Sequence, residues 1–155
     1  MTEERALAAI DASGLAYRVI RHGPVHSLAE AAVARGVAPA QVVKTLVVRR
    51  ADGDYVFVLV PGDRTISWPK LRDLLGVSRL SLPDAETARA ATGYERGTIT
   101  PFGATVAWPV VADTRIGAGE VTIGAGAFGV AAAVSGSELV AALGATVADV
   151  TELEA

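Results

Sequence analysis

Apolar residues recur along the chain in short blocks, some at helical spacing and some in strand-like alternation. A serine three residues before a glutamate, as at Ser27 and Ser135, is a capping signal that opens a helix. The pattern predicts helices over residues 3–12, 27–36, 67–75, 84–92 and 135–144. It predicts strands over residues 17–20, 41–50, 55–60, 79–82, 106–111, 120–123 and 129–134. Because helices and strands are interspersed, we expect one domain over residues 1–155 with a mixed α+β fold and a mixed sheet.

The strand over residues 41–50 is apolar on both of its faces, which predicts a strand inside a sheet that is covered on both sides. Lys44 interrupts this pattern, on the same side as Val42, Leu46 and Val48. An ammonium group loses hydration at such a position, and lysine is seldom buried without a partner. Either the stem carries the charge out to water, or Lys44 reaches a cavity that needs a cation.

Two segments are predicted to be less regular. Pro109 lies within residues 106–111 and cannot donate to a ladder, so we expect that strand at a sheet edge or a bulge. The tail over residues 145–155 is acidic, and we expect it to fray.

Composition excludes several kinds of chemistry. The chain has no cysteine, so disulfides, cysteine-ligated zinc and thiol catalysis are excluded. Its two histidines, His22 and His26, disfavour a histidine metal site, and we expect no metal. No apolar run reaches the roughly 18 residues that span a bilayer, and residues 1–12 lack the apolar core of a signal peptide, so no membrane partner is expected. With a net charge of −3, any contact with nucleic acid must be local.

Two glycine-containing segments are candidates for ligand binding. The first runs from Gly97 to Pro101 and is either an ordinary turn or a loop whose main-chain N–H groups hold a carbonyl or oxyanion. The second includes Gly124 and Gly126 and is either a hairpin turn or a wall against which a substrate packs.

Together these segments resemble the YbaK/ProX (EbsC-like) editing domains. The resemblance rests on VVKTLVV with Lys44, GDR at 62–64, TGYERGTITPFG at 92–103 and the turn at 124–129, in that order and spacing. These domains are trans-acting aminoacyl-tRNA deacylases related to the editing insertion of bacterial prolyl-tRNA synthetases. The resemblance implies an α/β fold with a strongly curved mixed sheet, or a partly open barrel, of about six or seven strands surrounded by short helices.

Carried onto this chain, the resemblance implies a catalytic role for Lys44. The substrate-binding residues that it implies are Thr45, Gly97, Thr98, Ile99, Thr100, Pro101, Gly124 and Gly126, and we add His26 as a further candidate. Thr45 and Leu46 after the lysine are closer to the Cys-tRNA(Pro) branch than to the alanine branch. The late loop reads GAGAFG and lacks the histidine that some relatives carry.

The predicted function is removal of cysteine or another small amino acid from mischarged tRNA(Pro), without a cofactor. The attacking group stays open between water, a ribose hydroxyl and the substrate's own thiol. The partners implied are the acceptor end of aminoacyl-tRNA and prolyl-tRNA synthetase, for a cytoplasmic monomer. The alternatives are a non-catalytic module that binds tRNA or a synthetase, and a hydrolase of an unrelated small ester.

Other side chains could contact the nucleic acid. Arg21, His22 and Arg64 are candidate phosphate contacts, although each by itself is more often a solvated surface group. Trp68 and Trp108 are candidates for stacking on the terminal adenine, although tryptophans are more often core residues.

Overall fold

The computed structural model describes residues 2–154, which form five α-helices and nine strands. The helices are α1 (Thr2–Ala12), α2 (Leu28–Arg35), α3 (Trp68–Leu75), α4 (Ala85–Thr92) and α5 (Gly136–Leu143). The strands are β1 (Arg18–Arg21), β2 (Val42–Ala51), β3 (Asp54–Pro61), β4 (Arg64–Ile66), β5 (Val110–Asp113), β6 (Glu120–Gly124), β7 (Val130–Ser135), β8 (Thr146–Ala148) and β9 (Thr151–Leu153). No helix in this part of the chain is both long and apolar enough to cross a membrane.

Seven strands form one sheet in the order β1-β7-β6-β2-β3-β5-β8, and β4 and β9 form a separate pair. The sheet contains parallel and antiparallel neighbours, which confirms the predicted mixed α+β fold. Strand β2 lies at its centre and forms a hairpin with β3, as the Asp52-Gly53 signal indicates. The strand that carries Lys44 is therefore an interior strand, as predicted.

Alternate residues of the central strands enter two cores, one on each face of the sheet. Val43 and Val47 belong to one core, whereas Val48 packs in the other with Val58 of β3. The second core also includes Ile66 of β4 and residues of α3 and the tail, so the small β4–β9 sheet closes this face. Strand β2 is apolar on both faces in the sequence because both of its faces are covered by a core.

Capping residues set the helix boundaries largely where the sequence predicts them. Ser27 accepts a hydrogen bond from the N–H of Glu30, and Ser135 accepts one from Glu138. Helix α2 ends at Gly36, whose φ of +73° suits glycine and whose N–H closes the last turn.

The predicted strand over residues 79–82 is wrong. Only Ser81 pairs there, through an isolated bridge to Arg49. The predicted position of Pro109 is also wrong, because β5 begins one residue later at Val110 and lies between β3 and β8. The missing N–H of proline therefore falls outside the ladder, while its carbonyl accepts from the N–H of Phe57.

The tail does not fray as predicted. Strand β8 pairs in parallel with β5, and β9 pairs with β4. The buried carboxylate of Asp113 accepts hydrogen bonds from the N–H of Val150 and the hydroxyl of Thr151. This side chain fixes the tail between its two strands, a contact that the acidic composition of the tail does not reveal.

Candidate active site

A gap in strand pairing along β2 opens the main candidate cavity. Strand β2 pairs with β3 along most of its length, but it pairs with β6 only through Val42 and Val43. At the other end of the gap Arg49 and Ser81 exchange two main-chain hydrogen bonds, of 2.8 and 3.2 Å. Residues 44–47 between these points line a cavity of about 500 Å³.

The cavity lies between α2, the start of α4, the 96–99 segment and the turn that carries Phe128. Most of its lining is apolar, with Val43, Leu46 and Ile99 among the contributors. Its charged lining residues are Arg35, Lys44 and Arg96, and no aspartate or glutamate lines it among the residues that the structure describes. The cavity is therefore a mainly apolar site with a positive bias.

Lys44 reaches the cavity, and its ammonium group is held by the neighbouring small sheet. Its Nζ donates to the main-chain oxygen of Arg64 at 2.5 Å. It also lies 3.7 Å from a carboxylate oxygen of Glu154, whose side chain is 62% exposed. A long ion pair with one largely exposed partner contributes little stability. The carbonyl of Arg64 is thus the main partner that orients the ammonium group.

Arg64 is held by structural contacts within the protein. Its Nε donates to the hydroxyl of Thr151 at 2.7 Å, and its Nη2 lies 3.4 Å from the oxygen of the same residue. The predicted phosphate contact is therefore a tie between β4 and β9, and its side chain does not line the cavity.

The other two predicted phosphate contacts also lie outside the cavity. Arg21 forms a 2.6 Å ion pair with Glu3, which raises the pKa of the arginine and lowers the pKa of the glutamate. The Nδ1 of His22 lies 2.8 Å from the oxygen of Gly23. Neither side chain is among those that surround the cavity.

Thr45 presents unused polar groups to the cavity. Its Oγ1 is buried and has no hydrogen-bond partner among residues 2–154. In an antiparallel pair, the main-chain groups of successive residues point alternately to the two sides. Because Arg49 bonds outward to Ser81, the main-chain groups of Val47 and Thr45 point to the same edge, where the gap lies.

The 97–101 loop has a fixed shape. Thr98 donates its N–H and its hydroxyl to the oxygen of Glu95, and its own oxygen accepts from Gly126. The buried Tyr94 donates to the oxygen of Phe102 at 2.6 Å, and burial raises the pKa of this tyrosine. These bonds fix the loop before any ligand arrives, which is the condition for a preorganised site.

Only part of this loop faces the cavity. Gly97 and Ile99 line it, and Gly97 has a φ of +92°, a conformation that side chains disfavour. Thr98 and Thr100 are buried within the protein, and Pro101 is not a lining residue. The structure therefore brings two of the five predicted loop residues to the cavity.

Of the remaining predicted residues, Gly124 lines the cavity, beside the oxygen of Ile99. Gly126 does not; its φ is +85°, and it packs against the ring of Tyr94. His26 is exposed and lies outside the lining.

Phe128 is the one aromatic residue among residues 2–154 that lines the cavity, and the sequence pattern does not single it out. Its side chain is 70% exposed and lines the cavity beside Gly97. Both tryptophans are engaged elsewhere: Trp108 donates to the oxygen of Ala91, and Trp68 packs on the second core. The signal for Phe128 was a lone aromatic residue within the turn GAGAFG.

Comparison with known proteins shows which family the chain belongs to. The model of the aminoacyl-tRNA editing domain matches residues 22–142. The proline–tRNA ligase of Desulfotalea psychrophila is 41% identical over 80 residues, which cover 52% of this chain and 14% of the ligase. The ligase of Desulfovibrio desulfuricans is 37% identical over 103 residues, which cover 66% of this chain and 17% of the ligase. The chain thus spans less than one-fifth of the length of these relatives.

Solved structures match nearly the whole chain. A crystal structure named "putative trans-editing enzyme for prolyl tRNA synthetase" superposes with a TM-score of 0.90 and 28% identity, and the match covers 97% of each chain. A protein named "hypothetical protein APE2540" superposes with a TM-score of 0.86 and 32% identity, covering 96% of this chain and 99% of the other. The resemblance seen in the sequence is confirmed, and the family match contains every residue of the cavity: the chain belongs to the aminoacyl-tRNA editing domain family.

Proposed function

We propose that this protein is an aminoacyl-tRNA deacylase that hydrolyses the ester of a mischarged tRNA in the β2 cavity. The observation that carries the proposal is the meeting of Lys44, Gly97, Ile99 and Gly124 around one mainly apolar cavity. These residues lie in separate parts of the sequence, and the fold joins them where β2 lacks a strand partner.

In the reaction, the bond between the carbonyl carbon and the ribose oxygen breaks. With water as the attacking group, its oxygen bonds to the carbonyl carbon and its protons are left to the ribose oxygen and the solvent. An aminoacyl ester is already activated, so positioning and stabilisation of charge on the carbonyl oxygen account for the catalysis. The Lys44 ammonium group supplies that positive potential, together with the main-chain N–H groups of Gly97 and Ile99, since that of Thr98 already donates to Glu95.

The lining supports a reaction without a protein nucleophile. The chain has no cysteine, and no histidine lines the cavity among residues 2–154. His26, a candidate substrate-binding residue in the sequence analysis, is exposed. A serine–histidine–aspartate arrangement therefore has no counterpart in this lining.

The substrate and partners form the finer part of the proposal. We assign cysteine or another small amino acid on tRNA(Pro), because the chain resembles editing domains and a neighbour named for prolyl tRNA synthetase. The acceptor end enters the cavity, prolyl-tRNA synthetase is a candidate partner, and the protein acts as a cytoplasmic monomer on this substrate.

A panel of aminoacyl-tRNAs tests the proposal directly. Wild-type protein and Lys44→Ala are incubated with tRNA(Pro) carrying cysteine, alanine or proline, and release of the amino acid is followed. We expect release from a mischarged species by wild-type protein and little release by the variant. Binding without release would instead indicate a non-catalytic module. Hydrolysis of simple amino acid esters without any preference for tRNA would indicate a small-ester hydrolase.

A further inference from the structure

Arg35 is a cation of the cavity lining that has no anionic partner among residues 2–154. Its Nη1 donates to the hydroxyl of Thr122 at 3.2 Å, and its Nε is buried and has no hydrogen-bond partner among the residues described. No carboxylate in residues 2–154 lies within ion-pair distance of it. Burial lowers the pKa of this guanidinium.

The location of Arg35 relates it to the catalytic lysine. Thr122, its partner, lies opposite Val42 in the pairing of β6 with β2. Lys44 follows Val42 by two residues and therefore shares its face of the sheet. Gly124 follows Thr122 by two residues, and a Cβ added there would lie 3.7 Å from the oxygen of Ile99. Arg35 thus lies on the lysine side of the sheet, beside the β6 border of the gap.

Arg35 is half-buried, and an anion placed beside it would stabilise its charge, because desolvation disfavours a charge without a partner. The lining supplies no carboxylate, although it holds three cationic residues. A negatively charged group of a bound ligand is therefore suited to this position.

We propose that Arg35 binds the phosphodiester that joins the last two nucleotides of the tRNA. This inference rests on the proposed function. Near the scissile ester, the α-amino group is neutral or positive and the adenine is neutral. The phosphodiester is the one group close to the ester that carries a negative charge whichever amino acid is attached. A guanidinium fork suits its two free oxygens.

The kinetic test compares two substrates that differ in this phosphate. One is an aminoacylated oligonucleotide ending in CCA, and the other is an aminoacyl-adenosine with no phosphate. For Arg35→Gln we expect kcat/KM to fall about tenfold or more on the oligonucleotide, mainly through KM, because a charge-assisted bond is lost. On aminoacyl-adenosine the variant should match the wild type, and Arg35→Lys should recover part of the loss.

Arg89→Gln is the matched control, because it removes one positive charge from exposed α4 outside the cavity lining. It should leave both substrates unaffected. Equal loss on both substrates for Arg35→Gln, or no loss on either, would overturn the assignment. A loss seen only with an acidic amino acid attached would also overturn it, since Arg35 would then read the aminoacyl side chain.

A binding experiment keeps the inference testable if no ester is hydrolysed. The trinucleotide CCA and free adenosine are titrated into wild-type protein and Arg35→Gln. We expect the variant to weaken binding of CCA about tenfold and to leave adenosine unchanged. If wild-type protein binds CCA no more tightly than adenosine, the phosphate site is refuted, whereas failure of hydrolysis with this binding pattern intact refutes only the deacylase function.

Discussion

The ammonium group of Lys44 donates to the main-chain oxygen of Arg64 at 2.5 Å. Arg64 in turn donates to Thr151, and Thr151 donates to the buried carboxylate of Asp113. The position of the lysine in the cavity is therefore set by a hydrogen-bonded series that runs through the small β4–β9 sheet. Arg64, Thr151 and Asp113 do not line the cavity, so the position of Lys44 depends on residues outside the site.

Lys44→Ala should reduce deacylation by roughly 100-fold or more, because in the proposed mechanism it removes the positive charge that stabilises the carbonyl oxygen. The free energy of unfolding should change by about 1 kcal/mol or less, since the lysine makes one carbonyl bond and one weak ion pair. Single-turnover deacylation and urea denaturation measure the two quantities. Lys44→Met keeps the apolar stem and should be equally inactive. Exposed His26→Ala should retain activity, and an inactive His26→Ala protein would contradict the mechanism.

Thr45→Val should separate binding from stability. The buried hydroxyl of Thr45 has no partner within residues 2–154, so its removal should leave the melting temperature unchanged or raise it. If the hydroxyl bonds the substrate, kcat/KM should fall about fivefold to tenfold. Thr92→Val is the contrast, because Thr92 donates to Ala88 and accepts from Tyr94. That variant should lose roughly 1–3 kcal/mol of stability. Unchanged kcat/KM for Thr45→Val would show that its hydroxyl does not contact the substrate.

Gly97→Ala combines a backbone cost with an effect at the cavity. The φ of Gly97 is +92°, and an added Cβ would lie 3.2 Å from the ring of Phe128. We expect about 1–2 kcal/mol of destabilisation and a marked loss of deacylation. Gly53→Ala is the matched control, because Gly53 has a φ of +69° in the distant hairpin and open space around it. Thermal melts should move both variants downward, and only Gly97→Ala should lose activity beyond its loss of folded protein.

Phe128 is expected to stack on the terminal adenine, in place of the two tryptophans. Loss of such stacking costs about 1–3 kcal/mol, so Phe128→Ala should raise KM roughly 5- to 150-fold. Phe128→Trp should preserve binding. Because the side chain is 70% exposed, stability should hardly change. Val33→Ala, another exposed apolar position, controls for general surface effects. Equal KM values for Phe128→Ala and the wild type would rule out stacking.

The ion pairs of Asp149 should make the free energy of unfolding depend on pH in the acidic range. Its carboxylate lies 2.6 Å from Arg115 and 3.0 Å from Lys70, and Arg115 in particular lowers its pKa from 3.8 to about 2. A carboxylate whose pKa is lowered by folding stabilises the folded state at pH values above its unfolded-state pKa. That stabilisation is lost as the pH falls toward the pKa of the folded state. Asp149→Asn should therefore be less stable than wild type at pH 7, and the difference should shrink between pH 4 and 2. Urea unfolding across this range measures it, with Asp73→Asn as a surface control. A constant difference would contradict the ion-pair account.

Features of the fold that are set by residues close together in the chain could be predicted from the sequence. The β2–β3 hairpin and the Ser27 and Ser135 caps were found because their signals span only a few positions. The unusual position of Lys44 was visible for the same reason, since the apolar pattern of one strand was enough to show it.

Long-range contacts account for the errors. The order of the tail depends on Asp113, which lies 37 residues before its hydrogen-bond partner Val150. The side chain of Arg64 is held by a hydrogen bond to Thr151, 87 residues away in the sequence. The sequence also could not distinguish an aromatic residue that packs in the core, such as Trp108, from one that stays exposed, such as Phe128. Burial is decided by what the completed fold brings alongside, which local spacing does not contain.

The break in pairing along β2 has a consequence for self-association. An uncovered strand edge is normally a template on which another chain can add a strand, and proteins protect such edges to avoid aggregation. Here the unpaired edge of residues 44–47 lies within a cavity walled by α2, the start of α4 and the 96–99 segment. A second protein strand would have to displace these walls, whereas a slender single-stranded end need not. The walls that enclose the cavity thus also protect this edge of β2 from edge-to-edge association.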